Sequence, residues 1–300
     1  MNTDKYHVKA HIVNGFVTKD QGGNPAGVVL NADNYTEVDM LKIAQRVGLS
    51  ETAFVSESDS ETFKLDFFTP NRRIAHCGHA TIATFSFLAE NGLINEGESS
   101  KETIDGPRKI VINNGAAYME QLAPKYSEPN EWLTKGVTTD GILESLNISE
   151  DSLNPSAPII LVNTGNSFVI IGVRSGEDLK NITPNFEKIA AISEKLDLIG
   201  FYVFTVDESA TDNDATTRMF APRFAIKEES ATGMAAGPLA CYLREYLHIQ
   251  KSTFFIEQGT YMKPASTSLV LVDLNLVKGK IAGLMAGGYG KLMRSLDVYI

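Results

Sequence analysis

Three hundred residues, 43 % hydrophobic and 21 % charged, make an ordinary globular chain with enough length for two sizeable cores, which excludes wholesale disorder. A formal net charge of −10 disfavours broad binding to nucleic acid or to an anionic membrane surface. The polar start, Met1 to Tyr6, lacks the apolar core of a signal peptide, no run approaches the ~20 apolar residues of a membrane span, and two cysteines, Cys77 and Cys241, build no disulfide framework, so the expected setting is a reducing cytoplasm.

In chain order, Val8–Phe16 reads as a first strand, and Gly22-Gly23-Asn24-Pro25 as a tight turn before the strand Ala26–Leu30. That glycine turn is no phosphate loop, because no Lys-Ser/Thr follows it and the next element is extended. Thr36 and Asp39 have the spacing of a capping box, Met40, Leu41, Ala44 and Val47 form the buried face of a short helix, and Gly48 ends it. Ser50-Glu51-Thr52 leads into the strand Ala53–Val55. Phe63, Leu65 and Phe67 alternate with polar residues and predict a half-buried strand. Lys109–Ile112 and Ala117–Glu120 continue the first lobe. A connector over Ala123–Asn130 marks the lobe boundary, giving an N-terminal lobe of residues 1–123 and a C-terminal lobe of residues 124–300, with the last strand near 290–300 returning to the first. In the second lobe, Ile159–Val162, Phe168–Val173 and Phe201–Val206 read as buried strands. Asn185 caps a helix whose apolar face holds Phe186, Ile189, Ala190 and Leu196. Phe254–Ile256 and Ser268–Val272 are further strands, and Gly287-Gly288-Tyr289-Gly290 separates the last two.

One stretch is repeated. Phe67-Phe68-Thr69-Pro70 is followed by Cys77-Gly78-His79-Ala80-Thr81 and an apolar helix closed by Asn91-Gly92. Met219-Phe220-Ala221-Pro222 is followed in the same way by Thr232-Gly233-Met234-Ala235-Ala236 and a second apolar helix. An internal repeat weighs more on the fold than any local propensity. It predicts an α+β chain of two similar lobes, each a curved sheet or barrel around a helix, with two helix N-termini facing one cleft. The unpaired N–H groups of a helix start suit a carboxylate or a developing negative charge.

Gly23-Asn24-Pro25-Ala26, Leu49-Ser50-Glu51-Thr52, Phe68-Thr69-Pro70, Cys77-Gly78-His79-Ala80-Thr81 and Glu229-Ser230-Ala231-Thr232-Gly233 stand in the order found in PhzF-like proteins. Gly237–Leu243 and Glu257-Gln258-Gly259 extend the match over nearly the whole chain. The sequence therefore resembles the phenazine-biosynthesis isomerase family, within the diaminopimelate epimerase-like superfamily. The resemblance implies the two-lobed α+β architecture, a homodimer, independence of any cofactor, and a small carboxylate-bearing metabolite as substrate.

The resemblance places Glu51 at the family's proton-moving glutamate. The chemistry is reasonable on its own terms, since taking a proton from carbon needs a base partly shielded from water. His79 matches the Gly-His position that binds or orients substrate at the helix end, beside Gly78. Glu229 stands where the phenazine isomerase has an aspartate, and Met234 where it has a serine, beside Gly233. The loss of a hydroxyl and the added apolar bulk at Met234 argue against the phenazine substrate itself. Cys77 offers a rival base. It matches the first thiol of the superfamily's two-cysteine racemases, but Thr232 occupies the second, so the alternative is a one-base epimerase or dehydratase acting on an amino or imino acid. A third reading is a catalytically silent small-molecule binding protein on the same scaffold. His76, Cys77 and His79 lie too close along one helix start to converge on one ion, so no metal site is expected.

Overall fold

The structure, a computed structural model, describes residues 7–207, 209 and 212–300. The chain divides into two compact units, one of Met1–Glu120 with Gly287–Ile300 and the other of Gln121–Ala286.

In the first unit, β1 (His7–Gly15) runs antiparallel to β2 (Asn24–Val29). The expected capping box opens α1 (Glu37–Val47): the Asp39 N–H donates to the Thr36 hydroxyl at 3.2 Å, and the Thr36 N–H donates back to the Asp39 carboxylate at 3.1 Å. Gly48 stops the helix at φ 71°. The chain enters β3 (Thr52–Ser56), parallel to β2, then folds back antiparallel as β4 (Phe63–Phe68) and the short β5 (Arg73–Ile74). After α2 (Gly78–Glu90) come β6 (Gly97–Glu102), parallel to β4, and the antiparallel β7 (Arg108–Asn113) and β8 (Ala116–Leu122).

The helix α2 has no charged side chain from Gly78 to Ala89, and every residue from Gly78 to Leu88 is buried. A helix with no polar face has to be covered all round, and β1 and β2 supply part of that cover. Gly15 permits the close approach: a Cβ there would lie 3.1 Å from the His79 carbonyl oxygen and 3.3 Å from the Ala83 nitrogen. One expectation fails here. Instead of alternating, Leu65, Asp66, Phe67 and Phe68 of β4 are all buried. Phe68 packs with Met40 and Ile43 of α1, while Phe67 on the other face meets His76 and Lys101, so both faces are covered.

The second unit opens with β9 (Lys125–Ser127) and α3 (Pro129–Trp132), so the connector at 123–130 is structured, with β9 antiparallel to β10 (Ile160–Asn163). Between them lies α4 (Thr139–Leu146). Then follow β11 (Ser167–Gly172), α5 (Gly176–Asn181), α6 (Phe186–Leu196), capped by Asn185 as expected, β12 (Gly200–Thr205), β13 (Ala215–Ala221), β14 (Ile226–Glu229), α7 (Gly233–Glu245), β15 (Thr253–Gln258), β16 (Ser268–Val277) and β17 (Lys280–Gly288). The last strand, β18 (Gly290–Tyr299), belongs to the first unit, where it pairs antiparallel along the length of β1.

The two units repeat one topology. In each, an antiparallel pair leads through helix to a parallel strand, β3 on β2 and β12 on β11. Each then has an antiparallel return, β4 or β13, a short strand, and a central helix of 13 residues. A strand parallel to the return closes both series, β6 on β4 and β15 on β13. Each unit is thus a curved sheet around one buried helix, the expected α+β architecture. Behind the sheet of the second unit, Trp132, Ile142, Leu146, Ile189 and Leu196 from α3, α4 and α6 join Val169, Phe201 and Val203 in an outer core. Among the described residues no helix is long and apolar enough to cross a membrane.

Candidate active site

The start of α2 gathers three of the residues singled out from the sequence. Cys77 is the N-cap, in extended backbone, and its side chain makes no capping hydrogen bond. The N–H of Thr81 is bonded to the Cys77 carbonyl at 3.2 Å, so Gly78, His79 and Ala80 are the first-turn residues before it, where a helix presents its positive end. The Cys77 Sγ lies 3.5 Å from Nδ1 of His79, and Nε2 of the same ring lies 3.4 Å from Oε2 of Glu51. Glu51 reaches this point because it immediately precedes β3, where its carbonyl accepts from the Gly27 N–H at 2.9 Å. The Glu51 side chain is 13 % exposed and that of His79 5 %, and Oε2 of Glu51 is buried without a hydrogen bond. One imidazole thus stands between a thiol and a carboxylate, with a different ring nitrogen turned to each.

Glu51, Cys77 and His79 also form a group whose donor atoms fall within 4.8 Å of one another. The convergent set therefore differs from the His76–Cys77–His79 run weighed in the sequence, and it recruits Glu51 from another element. Thiol and carboxylate face opposite nitrogens, an arrangement suited to passing a proton through the ring rather than to three ligands closing on one ion.

His76 points elsewhere. Its Nδ1 is 3.1 Å from Nζ of Lys101, which also donates to the Thr81 hydroxyl at 2.6 Å and lies over the Phe67 ring at 4.9 Å from its centroid. The Thr81 hydroxyl in turn donates to the Cys77 carbonyl at 2.6 Å. Burial, with Lys101 and Arg108 close by, pushes the His76 imidazole down to about 2, so it is neutral and accepts from Lys101. Burial likewise pushes Lys101 down to about 7, partly opposed by Cys77.

In the second unit, Thr232 is the N-cap of α7, Gly233 its first residue and Met234 its second. The Thr232 hydroxyl donates to the Glu229 carboxylate at 2.7 Å. Gln258 clasps this turn: its amide donates to the Glu229 carbonyl at 2.7 Å, and its oxygen accepts from the Thr232 N–H at 3.2 Å and from the Tyr202 hydroxyl at 2.9 Å. Met234 is half-buried and its sulfur accepts from the Asn166 amide at 3.2 Å, so it is held in place by a polar partner as well as by packing. The Gly233 carbonyl accepts from Gln121 at 2.9 Å.

Lys101, Thr81 and Gln258 were not singled out in the sequence. Lys101 sits in Gly97-Glu98-Ser99-Ser100-Lys101-Glu102, which reads as a polar surface strand, and nothing in that pattern marks one lysine as fully buried. Gln258 lies in Glu257-Gln258-Gly259, part of the family resemblance, but carries no role there. Cys241 is buried and free within α7. A cavity of about 690 Å³ in the first unit is lined by Ser86, Glu90, Tyr289 and Lys291, towards the other end of α2, and holds none of the expected site residues.

Comparison with known proteins gives the family and the fold. The sequence pattern of the family described as phenazine biosynthesis-like protein, PhzC-PhzF, matches residues 13–288. An uncharacterized isomerase of Bacillus subtilis, YfhB, is 31 % identical over 280 residues, covering 91 % of this chain and 92 % of its own. A crystal structure of the Bacillus anthracis phenazine biosynthesis protein of the PhzF family superposes with a TM-score of 0.86 at 25 % identity, over 98 % of this chain and 100 % of that one. A hydroxyproline epimerase from Agrobacterium vitis shares the fold, with a TM-score of 0.61 at 13 % identity over 100 % of this chain and 93 % of its own. The fold is diaminopimelate epimerase-like.

Proposed function

The chain belongs to the phenazine biosynthesis-like PhzC-PhzF family and is an isomerase, and on that premise we propose that it moves a proton on a small carboxylate-bearing metabolite, without a cofactor, with Glu51 as acid and base. The observation that carries this reading is the buried Oε2 of Glu51, free of hydrogen bonds and 3.4 Å from Nε2 of His79 at the mouth of α2. As a carboxylate, Glu51 takes a proton from a carbon next to the substrate's carboxyl or carbonyl group. The negative charge that develops is met by the first-turn N–H groups of α2, which are oriented before reaction begins. Gly78, lacking a side chain, lets the substrate approach that backbone, and His79 orients it. Glu51 then returns the proton to a second carbon. In the second unit, the resemblance supports substrate binding by Glu229, Gly233 and Met234. Met234 in place of the family's serine turns the preference away from the phenazine precursor.

The test is proton exchange followed by NMR in D2O with a panel of small cyclic and amino-acid carboxylates. Wild type is expected to exchange or isomerise one class, and Glu51→Gln to lose that activity. Retention of wild-type exchange by Glu51→Gln would sink the reading. The contact between Cys77 and His79 favours one rival, in which the thiol is the base on an amino or imino acid. That rival requires Cys77→Ala to abolish exchange while Glu51→Gln keeps most of it.

A further inference from the structure

Lys101 is 0 % exposed, yet no carboxylate among the described residues pairs with it. An ammonium taken out of water loses its hydration, and buried lysines are normally matched by an anion. Here the three ammonium hydrogens have neutral acceptors only: the Thr81 hydroxyl at 2.6 Å, Nδ1 of His76 at 3.1 Å and the face of Phe67, 4.9 Å from its centroid. Those acceptors solvate the cation but do not neutralise it. The Thr81 hydroxyl passes the polarisation on, since it donates to the Cys77 carbonyl at 2.6 Å, one turn below the helix start. The neighbouring group whose negative form favours the charged lysine most is Cys77 itself.

From this geometry we infer that Lys101 is a positioning residue of the site: a buried cation behind the start of α2 that favours negative charge at Cys77 and at the mouth of the helix. The inference rests on the reading that Glu51 and His79 work at this helix end, beside Cys77, and it gives that end the positive charge its chemistry needs. A carboxylate base, an anionic substrate and a developing carbanion all bring negative charge to this helix end. The macrodipole supplies only a partial positive charge, whereas Lys101, in its protonated form below about pH 7, supplies a full one in a low-dielectric setting where it acts strongly. It acts through the helix end and touches no substrate. A group of this kind costs stability, and such costs concentrate at functional sites.

The test uses alkylation of Cys77 by iodoacetamide below pH 7, where Lys101 is mostly protonated, followed by intact mass, because the rate reads the anionic thiol and needs no substrate. Cys241, fully buried, serves as the internal reference. Lys101→Met removes the charge, and Lys101→Gln removes it while keeping a donor for Thr81. Both variants are expected to alkylate about tenfold more slowly than wild type, as loss of one nearby opposite charge implies. Lys101→Met is also expected to melt at a higher temperature. If Lys101→Gln reacts as fast as wild type, the charge has no part and the inference is wrong. It is equally wrong if Lys101→Met melts lower and reacts faster, which would make the lysine a prop for packing. Should Lys101→Met fail to fold, Lys101→Gln alone decides the matter. Slower alkylation in these variants together with unimpaired exchange in Glu51→Gln would uphold the role of Lys101 while removing the glutamate mechanism.

Discussion

The Thr232 hydroxyl donates a 2.7 Å hydrogen bond to the Glu229 carboxylate, at the helix start equivalent to the one where Cys77 places a thiol 3.5 Å from His79. The repeat therefore conserves backbone while dividing the chemistry. One helix start carries a group that can exchange a proton with an imidazole. The other carries a hydroxyl already committed to a carboxylate.

That difference makes Glu229→Gln informative. The glutamine keeps an acceptor for Thr232, so stability should change by no more than about 1 kcal/mol in urea unfolding. Binding of an amine-bearing substrate should weaken, seen as a higher KM with kcat less affected. A large loss of stability instead would show that the charge of Glu229 holds the turn together.

Gln258 is expected to be far less tolerant. It is fully buried and joins Thr232, Glu229 and Tyr202. Gln258→Leu removes the bonds to the Thr232 N–H, the Glu229 carbonyl and the Tyr202 hydroxyl, the last of which keeps Thr217 at 3.0 Å, and should cost about 2–4 kcal/mol. Chemical denaturation measures it. A cost below that of an ordinary surface substitution would contradict the clasp.

Arg218 offers a test of the second unit's packing. Its guanidinium pairs with Glu228 through two bonds of 2.8 and 2.9 Å and donates to the carbonyls of Leu179 and Ile182 at the end of α5, at 3.1 and 2.9 Å. Arg218→Ala leaves a half-buried carboxylate without its guanidinium and takes a donor from two carbonyls, at a cost of about 2–4 kcal/mol. Lysine cannot reproduce the fork, so Arg218→Lys should recover only part of the loss. Full recovery by lysine would show that charge alone matters.

Lys101 makes stability depend on pH in a defined direction. Its folded-state value of about 7 lies below the ordinary 10.5, so between those limits the unfolded chain binds a proton that the folded chain does not. Wild type should therefore lose stability, relative to Lys101→Met, as pH falls from 10.5 towards 7, and the gap should level off below 7. Parallel unfolding of both proteins across that range checks it. A gap that widens with rising pH would reverse the assignment.

Gly15→Ala links fold to site. The new methyl would meet the His79 carbonyl at 3.1 Å and the Ala83 nitrogen at 3.3 Å, so α2 must give way by a few tenths of an ångström. A loss of about 1–3 kcal/mol is expected, with slower proton exchange because His79 moves away from Glu51. Unchanged exchange would mean the shift is absorbed elsewhere.

Much of this was legible in the sequence because it is local. The capping box of Thr36 and Asp39, the Asn185 cap and the glycine at the end of α1 each bond a partner no more than four residues away. The doubled Phe-x-Pro and helix-start pattern announced the repeated topology. The burial of Lys101 was not legible, since a lysine between Ser100 and Glu102 in a strand looks like any solvated edge, and only the parallel pairing of β6 on β4 carries it under α2. The meeting of Glu51 with His79 was legible only through resemblance, because the two residues are joined by the way β3 enters beside β2. The both-sided burial of β4 was misread for a similar reason: alternation in sequence reports one face, and α1 covers the other.

The pairing of β18 with β1 has a consequence for synthesis. On the ribosome, the strand that opens the first unit waits unpartnered along one edge until residues 290–299 emerge, while everything from Gln121 to Ala286 has already left the tunnel or is leaving it. The unit that begins second can therefore finish first, and the half carrying Glu51, Cys77 and His79 closes last. The nascent chain stays without a complete thiol–imidazole–carboxylate scaffold until β18 has emerged, and an exposed β1 edge is the surface that chaperones would have to shield in the meantime.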